Sequence, residues 1–121
     1  MRLLILPFIA VAIALGSSVV HAQLSGAFPV WFKLHDADID AIAKAEDRIL
    51  AHDPIKVGII ESWEGAGTGN TGKVSVVKLY KRNGADCIQA AYDFNIARAA
   101  DPIRYVLPWC KFSDGTWKLV F

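Results

Sequence analysis

The chain has 121 residues, with 13 Lys and Arg against 12 Asp and Glu, a formal net charge of +1 and a hydrophobic fraction of 54%. That length holds one domain rather than two. So even a charge balance, with no block of like charge, argues against nucleic acid or anionic lipid as a main partner, since both demand clustered positive charge.

Residues Met1 to Ala22 read as an export leader. Arg2 supplies the positive start, Leu3 to Val20 is almost wholly apolar, and Val20-His21-Ala22 puts small side chains at −3 and −1 before a cut. A retained membrane span is the other reading. The run is at the short end of the roughly 17–25 residues a span needs, Pro7 interrupts it, and a cleavage-like site follows. The predicted mature chain therefore starts at Gln23, with no transmembrane helix left after cleavage. Taking 22 residues from 121 leaves 99, and the loss of Arg2 balances the charge at 12 basic and 12 acidic residues. Leu24-Ser25-Gly26-Ala27 nearly matches a bacterial lipobox, but Ala27 stands where the lipidated cysteine is required, so no lipid anchor is expected. Residues 23–33 form a linker ahead of one domain over 34–121. Its Phe28, Trp31 and Phe32 either pack across the domain or form a partner patch, and packing is the favoured reading.

A helical pattern runs from Asp36 to Ala51. Asp36 is placed to cap it, with Asp38 and Asp40 near the positive end of the helix dipole. Ile39, Ile42, Ala43, Glu46, Ile49 and Leu50 follow helical spacing, and all but Glu46 are apolar, which predicts one buried stripe. Pro54 ends the helix within the turn His52-Asp53-Pro54. The rest reads as β. Strands are predicted over Lys56 to Trp63, Lys73 to Arg82, Ala85 to Phe94, Ile103 to Phe112 and Thr116 to Phe121. Asn83-Gly84 signals a tight hairpin, because both residues tolerate positive φ. Pro108 suggests an edge strand or a bulge, and Trp117, Leu119 and Phe121 alternate onto one face. The expected fold is α+β: one N-terminal amphipathic helix packed on a curled antiparallel meander of about five strands.

Cys87 and Cys110, the only two cysteines, fall on neighbouring predicted strands and should bond in an oxidising compartment. Closing a loop of about 24 residues is worth about 3 kcal/mol in the chain-entropy model. With no Cys-x-x-Cys, and only His35 and His52 beyond the leader, a redox or metal site fits less well.

Leu34, the Asp-rich helix start, Trp63, Thr68-Gly69-Asn70-Thr71-Gly72-Lys73-Val74, Cys87, Cys110-Lys111 and Asp114-Gly115-Thr116-Trp117 occur in that order. Over Leu34 to Phe121 the chain resembles the C-terminal domain of the 17 kDa surface antigen family of bacterial outer membranes. The resemblance implies an envelope protein without known catalysis, and no particular ligand. Three departures are visible. Ala27 replaces the lipidated cysteine that family members often carry, no glycine zipper precedes the domain, and Ile88 and Lys111 follow the cysteines where arginine is usual. The first two remove the features that anchor family members at the outer membrane. The third implies that any shared ionic contact near the disulfide is weakened or absent.

Gly67-Thr68-Gly69-Asn70-Thr71-Gly72 matches the letters of a dinucleotide fingerprint, but that chemistry needs the loop to open a helix, and a strand follows here. The segment instead reads as a hairpin loop and a possible recognition tip, carried by Trp63, Glu64, Gly67, Gly69, Asn70 and Gly72. His35-Asp36 and His52-Asp53 lie at opposite ends of the helix, about 25 Å apart at the helical rise, so they do not make one site. No nucleophile, acid and base converge from separate elements. The expectation is a non-enzymatic protein with no cofactor or metal, exported to the periplasm, the outer membrane or outside, whose partner is an envelope protein or cell-wall component. A periplasmic inhibitor of a lysozyme or protease, presenting the glycine loop, and a small-ligand carrier with a pocket between helix and sheet are the alternatives.

Overall fold

Residues 34–99 and 101–121 are described by the computed structural model. The leader, the cut at Gln23, the near-lipobox at Ala27 and the aromatic residues Phe28, Trp31 and Phe32 lie outside them. Helix α1 (Asp36–Leu50) is followed by β1 (Ile60–Glu64), β2 (Thr71–Arg82), β3 (Ala85–Asn95), β4 (Ile103–Lys111) and β5 (Trp117–Leu119). The five strands form one antiparallel sheet in chain order, each paired with the next. The sheet curls into a half-barrel around α1, so the α+β expectation holds, with the helix opening the domain rather than the chain.

The cap of α1 differs from the expectation. His35, not Asp36, occupies the N-cap with extended backbone angles. The carboxylate of Asp38 reaches back to accept its backbone N–H at 2.9 Å, which is the acidic half of a capping box. Asp36 is the first helical residue, where its charge faces the dipole without capping it. At the other end Ala51 closes the helix, its N–H bonding to Asp47 O at 3.0 Å.

The buried stripe of α1 is Asp38, Ile39, Ile42, Ala45, Glu46 and Ile49. Ala43 and Leu50 are only half-buried. The stripe lies on the concave face of the sheet, where Val74, Val76, Ile88, Ala90, Tyr92, Phe94, Leu107, Trp109 and Leu119 complete the core. At one end Trp63, Phe94 and Tyr105 stack edge to face, with centroids 5.9 and 6.2 Å apart. Arg48 fastens α1 to β1 through Glu61 at 3.0 Å and Ser62 O at 2.9 Å.

Most strand boundaries move by one or two residues, and the first and last strands are shortened further. The first strand starts at Ile60 rather than Lys56, because Gly58 turns the chain with φ 96° and leaves Val57 exposed. Phe112 falls outside β4, and Phe121 lies beyond β5 with 81% of its surface open, so the alternation that places Trp117 and Leu119 inward does not reach the end of the chain. Pro108 sits on an interior strand, not an edge. The β5 ladder covers only Trp109 to Lys111, so Pro108 lies one residue beyond it and offers its carbonyl alone, to Val120 N–H at 3.0 Å. The bulge lies elsewhere, on β2 between Val76 and Lys78. Asn83 and Gly84, at φ 50° and 80°, form the tight β2–β3 turn as read from the sequence.

Candidate functional site

The glycine-rich loop between β1 and β2 is tied to the start of α1 by one carboxylate. Asp38 Oδ1 accepts the Thr68 hydroxyl at 2.6 Å, and Oδ2 accepts Asn70 Nδ2 at 2.8 Å besides His35 N–H. Asn70 Oδ1 in turn accepts the Ala97 N–H at 2.8 Å. Helix start, loop and the β3–β4 connection thus meet at Asp38 and Asn70, which are 0% and 3% exposed. A wholly buried acid is costly unless donors surround it, and here three do.

Two glycines are needed for space rather than for backbone angle. A Cβ on Gly65 would lie 1.7 Å from Asp38 Oδ1, and one on Gly72 would lie 2.0 Å from the Asp93 carbonyl and 2.6 Å from Trp63 Nε1. Of the six residues read as a recognition tip, Trp63, Asn70 and Gly72 are buried, while Glu64, Gly67 and Gly69 are exposed. The loop leads into β2 and not into a helix. Sequence reading placed Asp38 only at the helix dipole, missing its bonds to Thr68 and Asn70, and passed over Gly65. The signal available for Asp38 was its position three residues after the cap.

Eight residues further along α1 a second acid is buried. Glu46 is 3% exposed. Tyr92 on β3 donates its hydroxyl proton to Glu46 Oε2, and the same hydroxyl oxygen accepts the Trp109 indole N–H from β4 at 2.8 Å. Glu46 Oε1 has no hydrogen-bond partner, and neither has Trp63 Nε1. Desolvation raises the Glu46 carboxyl to about 8; the Tyr92 bond counters that rise, and the neighbouring Asp47 adds to it. Burial, then the charge of Glu46, pushes the Tyr92 hydroxyl up as well. The acid is therefore held neutral near pH 7. Its place on an otherwise apolar stripe was visible in the sequence; its partners on β3 and β4 were not.

Cys87 and Cys110 are register partners on β3 and β4, with Cα atoms 4.0 Å apart, and form a disulfide. Their neighbours Ile88 and Trp109 point into the core, so the sulfur bridge lies on the convex face, between Tyr80 and Lys118 in the same row. Both cysteines are nonetheless buried, at 2% and 5% exposure. His52 lies on the turn after α1, 3.9 Å from Glu61, and His35 caps the far end of the helix. Among the described residues no three His, Cys, Asp or Glu side chains come together as a metal set, and no helix is long and apolar enough to cross a membrane.

Two spaces open where α1 runs out over the sheet. A cleft of about 340 Å³ lies between α1 and β5, lined by Glu46, Asp47, Leu50, Trp109, Thr116 and Trp117. A groove of about 620 Å³ lies beyond the helix end, sharing Leu50 and Trp117 with the cleft. No family model, curated protein or solved structure matches the chain.

Proposed function

We propose that this is a non-enzymatic bacterial cell-envelope protein, exported and oxidised, that acts by a structural or binding role. The observation that carries the reading is the Cys87–Cys110 disulfide, which uses both cysteines and joins strands already in register. Such bonds persist in oxidising compartments and are rare in the cytosol. The apolar leader with its cleavage-like end supports the same compartment. The order of Trp63, the Thr-Gly-Asn-Thr-Gly run, the cysteines and Asp114-Gly115-Thr116-Trp117 supports kinship with the 17 kDa surface antigen family. The partner on this reading is an envelope protein or a cell-wall component. The test is fractionation of the native host with an intact mass of the recovered protein. The expected species sits in the envelope or outside, begins at Gln23 and is two hydrogens lighter than the dithiol. A cytosolic protein with an uncut leader and two thiols overturns the reading.

A second reading, a periplasmic inhibitor of a lysozyme or protease, draws on the loop tip. Glu64, Gly67 and Gly69 are exposed on a loop that Asp38 and Asn70 hold from beneath, and a rigid exposed tip loses little entropy on binding. Near-stoichiometric inhibition, lost when the tip is shortened without unfolding, is the expected result. Unchanged enzyme activity at excess protein removes this reading.

A further inference from the structure

The concave face of the sheet continues past the point where α1 stops at Leu50. The β2 bulge decides what lines it there. Gly72, Val74 and Val76 point inward in strict alternation; after the register shift at Val77, the inward set becomes Leu79, opposite Ile88, and Lys81, opposite Asp86. Leu79 therefore faces the concavity, yet keeps 47% of its surface open. With Leu50, Ile55, Ile88 and Trp117 it forms the apolar lining of the 620 Å³ groove, a volume within the roughly 300–1,000 Å³ of small-molecule sites.

The charged residues at this groove are not balanced on the sheet side. Lys81 and Asp86 form an ion pair. Lys111, the register partner of Trp117, lines the groove; among the described residues it makes no ion pair within 4 Å, and its charge acts on Asp86 without a direct contact. His52 and Asp53 belong to the turn after α1. The lining strands β2 and β3 hydrogen-bond to each other, so they offer no free edge to a peptide backbone, which would bring donors and acceptors that need partners. An alkyl chain needs none.

We propose that the groove binds a free long-chain monocarboxylate, a fatty acid, with its chain on Leu79, Ile88 and Trp117 and its carboxylate at Lys111. The assignment rests on the sheet register and the groove lining, and stands independently of export and of any family kinship. Titration calorimetry of the purified protein with dodecanoate, dodecanol and dodecylammonium tests it. Saturable one-to-one binding of dodecanoate is expected, with dodecylammonium at least about tenfold weaker. Lys111→Met should weaken dodecanoate about five- to tenfold, the scale of one charge-assisted contact, and leave dodecanol unchanged. Leu79→Lys, at a half-open position, should abolish both without altering the circular dichroism spectrum. Absence of saturable binding, equal affinity for the amine, or full retention of dodecanoate in Lys111→Met overturns the proposal. So does binding to phosphatidylglycerol vesicles with no binding of free dodecanoate, which would assign the surface to a bilayer, or a dimeric mass that leaves the groove closed to all three probes.

Discussion

Asp38 and Glu46 lie on the same buried face of α1, two turns apart, and the protein treats them in opposite ways. Asp38 is met by three donors, one from the helix cap and two from the β1–β2 loop, so both its oxygens are occupied. Glu46 is met by one, and its second oxygen has none. The two are buried to almost the same depth. What differs is the supply of N–H and O–H groups. A loop of small polar residues brings donors to Asp38, whereas β3 and β4 bring mostly carbon to Glu46, with Tyr92 and Trp109 as the exceptions. A buried acid with enough donors ties segments together; one with too few keeps its proton.

The sharpest way to break this comparison is Glu46→Gln. The folded-state pKa of Glu46, about 8, lies above its unfolded value of 4.5. The folded state therefore holds a proton that the unfolded state gives up, and stability falls as pH rises from 4.5 to 8. Between pH 5 and pH 8 this one group should lower stability by about 4 kcal/mol. Urea unfolding at both pH values should show that drop in the native protein and its absence in Glu46→Gln, which keeps the acceptor for Tyr92 and cannot ionise. Parallel pH profiles for the two proteins would mean that Glu46 is charged in the fold.

Next in size is Gly65→Ala, which drives a Cβ into the Asp38 carboxylate and should cost about 3 kcal/mol by thermal or chemical unfolding. A cost below about 1 kcal/mol would show that the carboxylate is free to move and does not tie the loop. Asn70→Ala should cost about 2 kcal/mol, since it strips a donor from Asp38 and leaves the Ala97 N–H without its acceptor. Smallest is Gly67→Ala. Nothing lies within 4 Å of its Cβ position and only φ 74° opposes the change, so about 1 kcal/mol is expected.

Local pattern carried much of this fold. The helix, the Asn83-Gly84 hairpin and the order of the strands were all readable, because periodicity and turn chemistry act over a few residues. The pairing of Cys87 with Cys110 was readable because only two thiols exist. The two acids were read less well. The spacing of Glu46 on the apolar stripe was plain, but Tyr92 lies 46 residues away and Trp109 further still. Asp38 looked like a dipole residue, since its partners Thr68 and Asn70 are 30 and 32 residues distant. The bulge at Val77 left no mark either. Val76-Val77-Lys78-Leu79-Tyr80-Lys81 alternates acceptably on either side of a slip, so the inward turn of Leu79 came from the sheet alone. Within the glycine run, composition marked Gly67 and Gly69, whose freedom is conformational, while the crowded Gly65 and Gly72 take their meaning from atoms elsewhere in the chain.

The sulfur bridge also has a mechanical meaning. It joins the register partners that close the β3–β4 ladder, one residue before the end of β4. A force applied at Phe121 would peel β5 away and then meet a covalent stop at Cys110, so the chain could release its final eleven residues, 111–121, while β1 to β4 stayed sheared but intact. For a protein tethered or tugged through its C-terminus, that rung is a ratchet tooth: slack is paid out at the tail, and the load then passes directly into the middle of the sheet.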